Sequence, residues 1–395
     1  MALRMVRQFG KGNFVGGVMS GALGSTKKRN ANFELLRIIA MFMIITLHYN
    51  LYSNSMLELG SPATGVQLFA TFLESFCLTG MNAYVFLSGY FLSQSSVKPS
   101  RILKLIAQVY FYTILVSVAM IAVGTYVVHA DNSVFKTVQY LFPISSEHYW
   151  FVTAYVIMYV FAPVMNAAVK TLSRKQLKFT IMGLLLWFCV IKSIVPVMFP
   201  TDHYGYDFGW FLCLYLIAAY VRKYDVVLFY NAKRSAIVFV VSCLISSIMS
   251  ILLYMYNYRF GGLNYYSSVP FHMNYFFILT GSLGLFSLFR FMSLRESSFT
   301  RVVRFVAPYT FGVYLLHMHL EIQNRWVEWM EHLFGPVPTE SILLFCWHLV
   351  RSVLLVFLAG IFVDWVRQTV FEFIGRVLHD SWLFKKIRQW DDNIC

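Results

Sequence analysis

The sequence predicts an all-α, polytopic membrane protein with about ten transmembrane helices and both termini cytoplasmic. Three observations carry this. Of 395 residues 58% are hydrophobic and only 13% charged, against about 25% charged in a soluble domain. The apolar residues are grouped in ten stretches, each close to the ~20 residues that one crossing needs. Lys and Arg alternate between the intervening segments. With a cytoplasmic N-terminus, 26 of the 32 fall inside and three outside, and Arg37, Lys192 and Arg351 lie within spans. Short-loop Lys and Arg set orientation, so the net charge of +14 is topogenic, and nucleic acid is excluded as its cause.

In order, the expected spans are 33–52, 67–93, 105–128, 149–169, 179–199, 207–221, 235–257, 269–289, 305–320 and 341–363. The second exceeds one crossing and is interrupted by Gly80 and Asn82, so a tilted or broken helix is expected there, the kind that often lines a site. The chain divides into 1–31, a basic lead expected to be disordered and lacking a signal-peptide cleavage pattern; 32–364, the ten-helix domain; and 365–395, a basic amphipathic cytoplasmic tail. That tail suits either a helix lying on an anionic leaflet or the plain end of a long last helix. The six cysteines lack paired spacing, so neither a disulfide framework nor a metal site is expected.

A charge in hydrocarbon is costly, about 2.5 to 3.5 kcal/mol for Arg on insertion scales, and marks function by default. The first span reads FELLRIIAMFMIITLHYN. Eleven residues separate Arg37 from His48, within about 20° of three full turns, so both lie on one helix face about 16 Å apart along the axis. Glu34 shares that stripe. The competing readings are an Arg37 that snorkels to the interface and a His48 that merely bonds a neighbouring helix.

Arg, ten residues, then His in the first helix, preceded by an acidic residue and followed downstream by Ser88-Gly89-Tyr90-Phe91, resembles the integral-membrane acyltransferase family 3. So do 149–166 (YWFVTAYVIMYVFAPVMN), the 210–220 helix with Arg222 and Lys223 after it, and 310–317 (TFGVYLLH). These segments occur in family order, and the resemblance runs from about Asn32 to Asp364, strongest toward members acting in capsule and exopolysaccharide assembly. It implies ten helices and transfer of an acyl group, usually acetyl from cytoplasmic acetyl-CoA, to a glycan hydroxyl. It also implies a basic cluster after the Ser-Gly-Tyr helix for the CoA nucleotide. Arg101 and Lys104 stand there without the several consecutive arginines of other members, and positive-inside charge explains them equally.

The geometry of the first helix suits that chemistry. Arg37 can take donor phosphate by charge-assisted, bidentate hydrogen bonds, and His48, deeper along the pantetheine arm, would meet the thioester. An attacking alcohol needs a general base, for which imidazole is well matched. His48 is therefore the expected catalytic base, and Arg37 and Glu34 the donor end. Ser88 and Tyr90 are candidates to hydrogen-bond the thioester or its oxyanion, or else pack helices. On the acceptor side stand Trp150, which the resemblance includes, with Glu147 beside it, and His317 mid-depth in the ninth span.

The expected function is a plasma-membrane, multi-pass, bacterial O-acetyltransferase acting on a cell-surface or exported polysaccharide or its lipid-linked precursor. Acetyl-CoA is its co-substrate and no cofactor is bound permanently. Its partners are the glycan acceptor, membrane lipids and, in a relay variant, a separate extracytoplasmic acyl-acceptor protein. The alternative is a transporter or glycan flippase, which intramembrane Arg, His and Glu also suit, although the repeats common among carriers are absent here.

Overall fold

The computed structural model describes residues 29–124, 134–195 and 197–394. Its regular structure is helical, and no strand occurs among the described residues. The helices are α1 (Ala31–Tyr52), α2 (Gly65–Leu92), α3 (Pro99–Ala122), the short α4 (Val134–Leu141), α5 (Trp150–Thr171), α6 (Arg174–Ile194), α7 (Phe208–Lys223), α8 (Ala232–Phe260) and the short α9 (Asn264–Ser268). After them come α10 (Phe276–Phe291), α11 (Ser298–Val306), α12 (Thr310–His317), α13 (Trp326–Phe334), α14 (Ile342–Val377) and α15 (Trp382–Ile394).

Among the described residues, seven helical segments are long and apolar enough to cross a membrane: α1, α3, α5, α6, α8, α9 with α10, and α14. Their outward faces carry bulky apolar side chains such as Ile114, Val118, Val164, Phe179, Leu343 and Phe362, an exposure that a hydrocarbon solvent removes. The remaining three expected spans are α2, diluted by Gln67, Glu74 and Asn82; α7, with 16 residues; and α11 joined to α12.

Four features depart from the sequence reading. The second span is one unbroken helix of 28 residues, because its glycines serve packing and leave the backbone helical. A Cβ at Gly80 would stand 3.0 Å from Met43 of α1, and one at Gly89 3.0 Å from the Tyr215 backbone of α7. Small residues admit such close approach between membrane helices. Asn82 is satisfied within the bundle, donating to the Met273 carbonyl at 2.8 Å and accepting from Trp210 Nε1 at 3.0 Å. The ninth span is divided, with a 3₁₀ turn at Ala307–Tyr309 between α11 and α12, where Pro308 removes a helical donor. The eighth begins late, α10 starting only at Phe276 after a 3₁₀ turn at Val269–Phe271 that contains Pro270.

Finally, α14 runs 36 residues to Val377, so the expected boundary between 364 and 365 falls inside a helix. Most of the basic lead, 1–28, and the distal part of the third span, 125–128, lie outside the described residues.

The core gathers around α1, which touches α2, α10, α11, α12 and α14. α2 in turn packs against α7, α8 and α10, and α12 lies along α14. This central placement of α1 is what turns Arg37 and His48 inward.

Candidate active site

Asn30 caps α1 by accepting the Asn32 amide at 2.9 Å, satisfying one of the helix's free N–H groups. Glu34 then falls in the first turn and Arg37 three residues on. Arg37 Nη1 donates to Glu34 Oε1 at 2.5 Å, and both side chains are buried. Tyr84 of α2 and Tyr155 of α5 stand around the guanidinium. Arg37 is 6% exposed, so it does not snorkel. A donor phosphate reaching it must share the guanidinium with Glu34 or displace that carboxylate.

Ser88 donates to the Tyr84 carbonyl at 3.1 Å and meets the Tyr155 phenol, while the Tyr84 hydroxyl bonds Thr310 Oγ1 at 3.1 Å. Glu34, Arg37 and Ser88 are thus brought together, with Tyr84 and Tyr155 as members that sequence reasoning missed. Tyr90 lies two residues beyond Ser88 toward the α2 terminus. Its hydroxyl accepts from Arg222 Nη1 at 2.7 Å, and the Arg222 guanidinium lies 4.6 Å from its ring centroid. Arg290 approaches the same ring at 5.9 Å. Tyr90 therefore anchors two arginines near the Arg37 end of the bundle.

Arg101 donates to the Ser96 carbonyl at 3.3 Å and meets the Tyr159 phenol, one turn along α5 from Tyr155. Lys104 is exposed on α3 and set apart from this group. The α3 terminus itself is capped from a distance, Ser100 N–H donating to Asp391 of α15 at 2.9 Å.

At the other end of α1, His48 Nδ1 and His317 Nε2 lie 3.0 Å apart. His317 Nδ1 is 2.6 Å from the Val313 carbonyl, an acceptor only, so this nitrogen carries the proton. His317 Nε2 is then the acceptor and His48 Nδ1–H the donor, an assignment made from the hydrogen-bond network. The chain of bonds leaves His48 Nε2 as a basic lone pair, the form a general base requires. His317, placed on the acceptor side by the sequence reading, contacts the base itself.

Trp150, the first residue of α5, packs edge-on to Tyr206 with centroids 4.7 Å apart. Tyr206 is also close to Glu74 of α2, whose carboxylate accepts from Asn50 Nδ2 at 2.9 Å. Glu147 is exposed, with a positive φ of 56°, and is separated from its buried neighbour His148. Burial pushes the His148 imidazole down to about 4, so it is neutral.

Two further acidic groups are already engaged. Asp202 takes Lys192, Asn274 and Tyr265, and Glu331 takes the Val337 amide at 3.1 Å. Trp326 is buried at 2% exposure.

Fold and site together define a multi-pass membrane acyltransferase. An acyltransferase-domain family model matches residues 30–365, most of the chain, and the protein belongs to acyltransferase family 3. That membership decides between enzyme and carrier in favour of the enzyme. No curated protein and no solved structure gives a match to the chain.

Proposed function

We propose that this acyltransferase moves an acetyl group from cytoplasmic acetyl-CoA to a hydroxyl of a cell-surface or exported polysaccharide, or of its lipid-linked precursor. The observation that carries the reading is the pairing of two chemistries on α1. A guanidinium suited to phosphate and an imidazole with a free lone pair share one helix face about 16 Å apart, a separation compatible with an extended pantetheine arm. His48 Nε2 removes the acceptor's proton as its oxygen attacks the thioester carbonyl, then returns that proton to the departing CoA thiolate. His317 holds the His48 ring and its tautomer. Trp150 and Tyr206 offer aromatic faces to a sugar ring, with Glu74 as the carboxylate beside them.

The same reading orders the chain as ten crossings (α1, α2, α3, α5, α6, α7, α8, α10, the α11–α12 pair and α14) with both termini cytoplasmic, in a bacterial plasma membrane. The 26-to-3 split of Lys and Arg supports that orientation. The lead at 1–31 and the tail at 365–395 flank the enzymatic domain, and Arg101 and Lys104 lie on the side where the donor nucleotide enters. The acetyl group passes directly to the glycan or through a separate extracytoplasmic acyl-acceptor protein.

The test is direct. Protein purified in lipid nanodiscs is supplied with acetyl-CoA, and free thiol is measured together with acetyl esters on surface glycans of cells with and without the gene. Thiol release by wild type, lost in His48→Ala, and glycan acetyl esters that vanish with the gene support the reading. Absence of either signal for the wild type sinks it.

A further inference from the structure

Two buried hydrogen-bond donors next to the His48–His317 pair have no partner. Tyr314 stands one turn before His317 on α12, its ring edge-on to the His317 ring at 6.1 Å. Its hydroxyl is buried, its oxygen accepts from the Phe151 amide, and its O–H donates to no group. Trp326, at the start of α13, meets the same imidazole edge-on from another element at 6.4 Å. Its indole N–H is likewise buried and without a partner. An unsatisfied buried polar group costs about 1–3 kcal/mol, and Tyr and Trp ordinarily find a partner when buried. Two such groups facing one imidazole form a local concentration of unused donors.

The neighbouring tyrosine hydroxyls do not share this condition. Tyr49 bonds His348 at 2.7 Å, Tyr149 donates to the Leu315 carbonyl at 3.0 Å, and Tyr84 bonds Thr310. The ring of Phe151 packs on Tyr314 at 5.7 Å and Tyr49 on Trp326 at 6.1 Å, so both rings are held by aromatic contacts while neither the O–H nor the N–H donates to a partner.

Resting on the acyl-transfer reading above, we propose that Tyr314 O–H and Trp326 Nε1–H receive the thioester carbonyl oxygen and stabilise the oxyanion that forms on it. As the acceptor oxygen bonds to the carbonyl carbon, its proton passes to His48 Nε2 and the carbonyl π pair moves onto oxygen, where the two donors meet it. Collapse re-forms the carbonyl and breaks the C–S bond. The thiolate leaves and takes the proton from His48. Donors fixed before the reaction and shielded from water act strongly on developing charge, and losing one typically lowers kcat about 10²- to 10³-fold. The separation of labour is then spatial, with the base on α1 and the oxyanion donors on α12 and α13, behind the positioning residue His317.

The deciding variant is Tyr314→Phe, which keeps the ring and removes only the oxygen. In nanodiscs it is expected to lower kcat for acetyl-CoA turnover about 10²-fold and leave acetyl-CoA affinity within about threefold, while the melting temperature changes by no more than the loss of the one bond from the Phe151 amide. Trp326→Phe is expected to show the same split. A Tyr314→Phe enzyme with near-wild-type kcat overturns the proposal. His48→Ala is run in parallel. If His48→Ala retains full turnover, the acyl-transfer reading itself fails; if only the tyrosine and tryptophan variants are neutral, the oxyanion assignment alone fails.

Discussion

His48 and His317 face each other at 3.0 Å across the α1–α12 contact, and the Val313 carbonyl at the far side of His317 fixes which nitrogen of each ring carries a proton. The direction of this relay points the bare lone pair out of the pair at His48 Nε2. One carbonyl at the base of α12 thereby determines which histidine is available as a base.

His48→Ala is expected to reduce acetyl transfer about 10²- to 10⁴-fold with folding retained. Under the proposed function His317 acts through His48, so its variants should grade by what they offer His48 Nδ1–H. His317→Gln retains an amide oxygen that can accept, and should keep more activity than His317→Leu, with acetyl-CoA affinity unchanged in both. Turnover measured across pH should move its acid limb in His317→Leu, where the ring tautomer is no longer held. Equal activities and superimposable pH profiles for Gln and Leu would show that His317 is only a packing residue.

A second buried polar network lies between α6, the loop after it and the turn that precedes α10. Lys192 Nζ reaches Asp202 Oδ2 at 2.6 Å and His272 Nδ1 at 2.7 Å, and Tyr265 and Asn274 add bonds to the same carboxylate. Burial pushes the Asp202 carboxyl up, but the hydrogen bonds from Lys192, Asn274 and Tyr265 outweigh it and hold the group below its ordinary value of 3.8. A depressed folded-state value contributes stability that is complete above the unfolded value and disappears as pH falls through the folded one. The melting temperature of the wild type should therefore drop as pH descends from about 5 to about 3, and Asp202→Asn should lie lower at neutral pH with a flatter acid limb. Parallel curves for the two proteins would remove Asp202 from the acid response.

The fold was legible where hydrophobicity and charge act over a whole span. Composition, ten apolar stretches and the alternation of Lys and Arg pointed to an all-helical membrane protein, and α1 lies within two residues of its expected start. Breaks were misplaced because they depend on partners. Gly80 looked like an interruption until Met43 of α1 was seen to fill the space opposite it, whereas Pro308 in the ninth span divides two helices that hydropathy had joined. At the site, residues sharing one helix could be related by arithmetic, as Glu34, Arg37 and His48 were. The Tyr84–Arg37–Tyr155 grouping and the approach of His317 to His48 depend on how separate helices pack, which spacing along the chain does not encode.

Asp364 ties three helices together at the Arg37 end. It is fully buried in α14 and accepts from Gln108 and Tyr112 of α3, both at 3.0 Å, and from Arg367 at 2.7 Å. α12 meets it with Gly312, where a Cβ would come within 2.3 Å of the carboxylate. Gly312→Ala must therefore displace Asp364 from its donors, and overpacking of this kind costs about 1–3 kcal/mol. A melting temperature several degrees below wild type is expected, whereas Ala at the open position Gly183, where nothing lies within 4 Å, should change little. Identical melting temperatures for the two variants would refute the close contact.

Arg37 is engaged in the fold through Glu34 and, under the proposed function, toward the donor, and Glu34 is the means of telling the two apart. Removing one member of a buried ion pair leaves the other charge uncompensated, typically at a cost of about 3–5 kcal/mol. Arg37→Gln should therefore lower the melting temperature whatever Arg37 does for acetyl-CoA. The double variant Glu34→Gln/Arg37→Gln removes both charges, and its melting temperature should recover much of that loss. Donor binding follows a different rule. If the planar guanidinium holds phosphate, Arg37→Lys keeps the charge but loses the bidentate geometry, so acetyl-CoA affinity should fall from wild type to Arg37→Lys and further to Arg37→Gln. In the double variant it should remain low despite the restored stability, and wild type should prefer CoA thioesters over pantetheine thioesters lacking the nucleotide. Calorimetric binding of acetyl-CoA to the purified variants, alongside their melting temperatures, reads both quantities. A double variant that regains donor affinity together with stability would make Arg37 a structural residue and end its assignment to the phosphate.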